Sequence, residues 1–178
     1  MDKPRTPADP GPILAVLEAE GVEYVVIGGW ALVAYGVDRA TFDLDVVVEP
    51  SDDNGAALAS ALRRLDARRD LGAGVLEDLN LDAPRSLFAN PLRMVTNEGP
   101  LDVLSQVLGI ESYEEVRNDA RRAKFGDGTE FVIASKQTLE KIKQAMAEQA
   151  DPERAGRDRF DLEELRRLSD PDLPPARR

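Results

Sequence analysis

Residues Tyr24 to Pro50 read YVVIGGWALVAYGVDRATFDLDVVVEP, and the end of this stretch is chemically odd. Asp43 to Glu49 has strand character, yet it opens with two acids, Asp43 and Asp45, separated by one leucine. Successive strand side chains point to opposite faces, so Leu44, Val46 and Val48 can line a core while both carboxylates stand on the other face. Like charges that close repel unless a cation lies between them. Upstream, Glu23 to Ile27 reads as a short β-branched strand, broken by Gly28-Gly29. Trp30 to Tyr35 then reads as a compact helix closed by Gly36. Glycines after a strand let the backbone approach an anion, and a following helix N-terminus presents free N–H groups. Strand, Gly-Gly, helix and an Asp-x-Asp strand together suit phosphates held against a divalent cation, and hence phosphoryl or nucleotidyl transfer.

The composition narrows the chemistry further. The 178 residues contain no cysteine and no histidine, which excludes disulfides, thiolate or imidazole metal sites and a histidine base. Any metal must be oxygen-bound, and magnesium or manganese fits that ligand set. A net charge of −11 argues against binding nucleic acid by bulk phosphate neutralisation. No apolar run has the length of a membrane span, and MDKPRTPADPGP lacks the apolar centre of a signal peptide. A cytoplasmic protein with no membrane partner is expected.

Along the chain, strands and helices mix without a strict βαβ rhythm, which predicts an α+β fold with a mixed sheet flanked by helices. Residues 1–12 read as a flexible lead-in, 13–134 as the core, 135–169 as a helical pair packed on it, and 170–178 as a disordered tail. Ile13–Glu20 and Asp52–Leu65 read as amphipathic helices. Asp66 to Asn90 reads as loop, with Gly72, Gly74 and Pro84 interrupting any period. Leu92–Thr96 and Leu101–Val107 pair around an Asn97-Glu98-Gly99 turn, and Ser112–Asn118 is helical. Ala123–Phe125 and Glu130–Ala134 flank Gly126-Asp127-Gly128, a hairpin signal.

The last two helices, Lys136–Glu148 and Asp158–Leu168, carry charge on their apolar stripes. Leu139, Ile142 and Met146 share one stripe, and Lys143 projects into it while Lys141 points away. Asp158 and Asp161 fall on the stripe of Leu162, Leu165 and Leu168. A lysine and two acids on the buried sides of adjacent helices require one another.

IGGWALVAYGVDRATFDLDVVV resembles the signature of the nucleotidyltransferase superfamily shared with DNA polymerase β. Gly28-Gly29 and Asp43-x-Asp45 are separated by 13 residues, Trp30 to Phe42, a spacing that suits that pattern. Gly36-x-x-Arg39-x-Thr41-x-Asp43-x-Asp45 is similar to AbiEii-type small bacterial nucleotidyltransferases, several of which are toxins of toxin–antitoxin pairs. Many relatives carry serine where this chain has Gly29, so one phosphate contact is missing here. The resemblance implies a third carboxylate on a later strand. Asp102, in GPLDVLSQV, matches it, although a salt bridge is the alternative for that residue. Arg39 either reaches phosphate or pairs with Asp38 or Asp43. SKQTLEKIKQAMAEQADPERAGRDRFDLEEL is similar to the AbiEii-type ending, loosely so at Arg157. This implies a nucleotide-site role for Lys143, and for Asp158 and Asp161 either a part in activity or an interhelical ion pair.

The resemblance thus implies a metal set of Asp43, Asp45 and Asp102. It implies a catalytic set of those three with Lys143, and nucleotide contacts from Gly28, Gly29, Arg39, Thr41, Lys143, Asp158 and Asp161. The implied reaction is transfer of a nucleoside monophosphate from a nucleoside triphosphate to a hydroxyl. The acceptor is a tRNA or other RNA 3′ end, with an antitoxin as partner, or else a protein or a small molecule such as an antibiotic. A non-catalytic nucleotide-binding or interaction module is the other reading. Arg63, Arg64, Arg68 and Arg69 either contact RNA phosphate or form a solvated helix end.

Overall fold

Side-chain alternation shapes the centre of the molecule. In the computed structural model, which describes residues 9–89, 91–124, 128–149 and 152–176, Leu44, Val46 and Val48 are fully buried. They lie on β2 (Leu44–Val48), one of eight strands accompanied by six α-helices among the described residues. β2 begins one residue later than the sequence suggests, leaving Asp43 in the bend before it. The chain divides into two compact units: residues up to Tyr24 with Ala40–Ser105, and Val25–Arg39 with the chain from Gln106 onward.

In the first unit, Asp9 caps α1 (Pro10–Ala19) by accepting a hydrogen bond from the Gly11 N–H at 3.0 Å. The helix thus starts within the segment expected to be flexible; residues 1–8 lie outside the described set. Ser51 caps α3 (Asp52–Arg64), whose Leu58 and Leu62 are buried. The loop expected between Asp66 and Asn90 is instead a hairpin, β3 (Arg68–Asp70) and β4 (Leu76–Asp78), followed by a 3-10 helix over Pro84–Phe88. Both hairpin strands are largely exposed, so no apolar alternation marks them. Gly72 and Gly74, with φ of 85° and 79°, form its turn. β5 (Leu92–Thr96) pairs antiparallel with β3 and with β6 (Gly99–Leu104), and β6 pairs parallel with β2. The strand order is β4-β3-β5-β6-β2.

Asn54 ties this unit together from inside α3. Its Oδ1 accepts from the Glu23 N–H at 2.7 Å, and its Nδ2 donates to the carbonyls of Glu23 and Glu49 at 3.0 and 2.7 Å. The residue is 4% exposed. Asn54→Leu strands three backbone groups, and we expect it to cost about 3 kcal/mol, read as a fall of roughly 6–12 °C in Tm. An unchanged melting curve would show that water replaces the amide without loss.

The second unit is also a mixed α+β assembly. β1 (Tyr24–Ile27, with Val25–Ile27 in this unit) pairs parallel with β8 (Glu130–Ile133), which pairs antiparallel with β7 (Arg121–Lys124). The hairpin glycine-aspartate pair Gly126-Asp127 lies outside the described residues. α2 (Gly28–Ala34) follows β1 without a linker, so Gly28 and Gly29 open the helix instead of preceding it. Gly28 has φ +64°, a conformation that glycine adopts without a Cβ penalty, and it turns the chain from strand to helix. Ser112 caps α4 (Tyr113–Asn118). α5 (Lys136–Gln149) packs on α6 (Pro152–Arg167), which starts six residues before the expected helix, Asp158–Leu168, does. The tail expected to be disordered lies along β7 instead. Arg122 N–H donates to the Pro174 carbonyl at 2.8 Å, and Ala176 N–H to that of Ala120 at 2.9 Å. Pro174 and Pro175 lie within this paired stretch and hide it from a sequence reading. No helix among the described residues is long and apolar enough to cross a membrane.

Candidate functional site

Strand register decides where the carboxylates stand. In the parallel pair β2–β6, Leu44 faces Leu101, Asp45 faces Asp102 and Val46 faces Val103. Asp45 and Asp102 therefore share a face on strands about 4.8 Å apart, opposite the buried leucines and valines. Both are half-buried. On the other side of Asp102, Arg93 of β5 occupies the directly facing position, with Nε 3.7 Å from Asp102 Oδ2. The face thus carries a row of Asp45, Asp102 and Arg93 across three neighbouring strands.

Asp43, also half-buried, precedes β2 by one residue. Among the described residues, no three carboxylates are gathered closely enough to form a metal-binding group. A pair of carboxylates nevertheless suits magnesium, which keeps several waters and is commonly held by one or two carboxylates plus substrate phosphates. The donor set of Asp45 and Asp102 fits that chemistry: hard oxygens, adjacent and partly desolvated. Two residues ahead of Asp43, Thr41 is 5% exposed and its buried Oγ1 has no hydrogen-bond partner. A buried hydroxyl without a partner is costly, and such atoms mark places where a ligand or water belongs.

In the second unit, α2 opens without a side-chain cap, so the backbone N–H groups of Gly28 and Gly29 have no capping oxygen from Ile27. The charged residues on the helical stripes meet. Lys143 Nζ donates to Asp158 Oδ1 and to Asp161 Oδ2, both at 2.8 Å, and the three residues are 4–7% exposed. Arg39 joins them, its Nη1 2.5 Å from the same Asp161 Oδ2. Of the partners weighed for Arg39, neither Asp38 nor Asp43 is this one; Asp161, 122 residues away in sequence, is. Two of the three ammonium protons of Lys143 are spent on carboxylates. Arg39 keeps 30% of its side chain exposed. Asp158 Oδ2 is buried without a hydrogen-bond partner, so the cluster holds an acceptor short of its donor. Arg157 is exposed.

The basic residues named as RNA candidates are paired on the surface. Arg63 bonds Asp82 at 2.8 Å, Arg64 Glu20 at 2.5 Å, Arg68 Asp78 at 3.0 Å, and Arg69 lies 3.7 Å from Glu77. The hydrogen bonds from Ser60 and Arg64 hold the Glu20 carboxyl below its ordinary range. These arginines form a neutralised surface, not an open cationic track.

Arg93 is the residue that sequence reasoning missed. The expected turn, Asn97-Glu98-Gly99, is one residue too long: Gly99 belongs to β6 and pairs with Thr96, and counting back along both strands sets Arg93 opposite Asp102.

No protein-family model matches the sequence, and no curated protein matches it. Solved structures do resemble the fold. The lincomycin-bound lincosamide antibiotic adenylyltransferase LnuA has a TM-score of 0.59 at 14% identity, covering 92% of this chain and 99% of that one. The antibiotic-resistance factor ANT(2'')-Ia has a TM-score of 0.53 at 16% identity, covering 86% of this chain and 77% of that one. The chain therefore has a nucleotidyltransferase fold, α+β with mixed strand pairing, as the Gly-Gly and Asp-x-Asp pattern led us to expect.

Proposed function

We propose that the chain is a magnesium- or manganese-dependent nucleotidyltransferase, moving a nucleoside monophosphate from a nucleoside triphosphate to an acceptor hydroxyl. The observation that carries this reading is the parallel register of Asp45 with Asp102 on one face of a nucleotidyltransferase fold. Asp43, one residue before β2, is left out of this ligand pair, because no three carboxylates among the described residues gather into a metal-binding group. Bound there, a divalent ion supplies charge neutralisation for the triphosphate and lowers the pKa of the acceptor hydroxyl. The resemblance assigns Gly28, Gly29 and Arg39 to phosphate contacts, through two backbone N–H groups and a guanidinium. Asp102 accepts the proton of the acceptor hydroxyl. The freed oxygen bonds to the α-phosphorus, and the bond to the leaving pyrophosphate breaks, its electron pair departing with pyrophosphate.

Lys143 acts at one remove in this scheme. Held between Asp158 and Asp161, it fixes the carboxylate that orients Arg39, and so it is a positioning residue rather than a phosphate ligand.

A small-molecule hydroxyl is the acceptor we favour. The arginines available for RNA are paired with acids, and the net charge of −11 opposes RNA association. LnuA, which shares the fold, is by name an antibiotic adenylyltransferase. The AbiEii-type resemblance points instead to an RNA 3′ end, with an antitoxin as partner. Incubating the protein with each α-labelled nucleoside triphosphate plus magnesium, against cell RNA, cell protein or a panel of hydroxyl-bearing antibiotics, separates these readings. We expect label in the antibiotic fraction. Label in RNA would establish the toxin-like acceptor, and no label in any fraction would leave a binding module.

A further inference from the structure

We infer that Arg93 is a built-in competitor for the metal at Asp102, a guanidinium that neutralises this carboxylate and sets how tightly a divalent cation is held. The inference rests on the metal reading of Asp45 and Asp102 given above. Three observations on the first unit carry it. Arg93 faces Asp102 directly across β5–β6, and Asp102 faces Asp45 directly across β6–β2, so the cation and the two acids form one continuous row. Arg93 Nε lies 3.7 Å from Asp102 Oδ2, within ion-pair reach but longer than a good charge-assisted hydrogen bond. Its side chain is 59% exposed and that of Asp102 is 20% exposed, so the arginine can swing into solvent while the acid cannot.

The physics gives the direction. Two adjacent carboxylates repel one another, and a neighbouring positive charge relieves that repulsion. The same charge repels an incoming divalent cation, an interaction weakened by water and by salt because the arginine is on the surface. Arg93 therefore lowers metal affinity in the absence of nucleotide. The triphosphate, which brings its own negative charge, then becomes the partner that completes metal binding. A long, exposed arginine at this register position suits that exchange better than an alanine or a second acid would.

The test is a Mn²⁺ titration of the full chain without nucleotide, following free Mn²⁺ by electron paramagnetic resonance, for wild type, Arg93→Met, Arg93→Lys and Asp45→Asn. Arg93→Met is expected to bind Mn²⁺ roughly three- to tenfold more tightly at low salt, with the difference shrinking as ionic strength rises. Arg93→Lys should return the affinity towards wild type, since it restores the charge. Unchanged or weaker binding by Arg93→Met, with the circular dichroism spectrum of the folded protein, overturns the inference. If Asp45→Asn binds Mn²⁺ as wild type does, the metal is elsewhere and the functional reading falls together with this one.

Discussion

Asp45→Asn is expected to abolish nucleotidyl transfer, by about three orders of magnitude or more, equivalent to ~4 kcal/mol of transition-state stabilisation. The substitution is nearly isosteric and keeps the β2 backbone pairing, but it removes one of the two charges that stand in register on β2 and β6. A neutral amide is a poor ligand for a hard cation that must also be clamped against phosphate. Stability should move the other way. Removing one of two neighbouring carboxylates relieves like-charge repulsion, so Tm should hold or rise slightly. Incorporation of label from nucleoside triphosphate, measured beside a thermal melt, checks both halves. Retained transfer would remove Asp45 from the metal site, and a collapse in Tm would make it a structural residue.

Lys143→Met carries the largest expected effect on stability. It leaves Asp158 and Asp161 of α6 buried against α5 without the lysine that joins them. Breaking a buried pair by removing one partner costs about 3–5 kcal/mol, which for a chain of this size is a fall of roughly 6–20 °C in Tm. Adding Asp158→Leu should recover much of the loss. That change removes the carboxylate with the unpartnered Oδ2, and Asp161 keeps Arg39. Recovery of transfer along with Tm in the double variant is the outcome expected of a positioning residue. A stable but inactive double variant would show instead that the ammonium group touches phosphate. Arg39→Ala should behave in the opposite way, losing transfer with a small change in Tm, because Lys143 continues to neutralise Asp161.

Local periodicity in the sequence carried several of these features before any contact was known. Alternation through Leu44, Val46 and Val48 identified β2 and put Asp45 on its other face. The helical stripe of Leu139, Ile142 and Met146 placed Lys143 inward, and the stripe of Leu162 and Leu165 did the same for Asp158 and Asp161. Each of these rests on side-chain direction along a single element. The facing of Arg93 and Asp102 was not legible in that way, because the expected turn took in Gly99, which instead pairs with Thr96.

The tertiary structure alone decided which distant elements became neighbours. β2 and β6 are separated by residues 49–98 and lie parallel, so no turn ties their register; competition for burial and backbone hydrogen bonds settles it. Arg39 reaches Asp161 by the same kind of non-local choice. The hairpin of β3 and β4, exposed on both faces, and the tail along β7 leave no hydrophobic period to read, because their backbone partners hold them and their side chains bury little. Periodicity encodes which way a side chain points, whereas the identity of the element it points at depends on the packing of the whole chain.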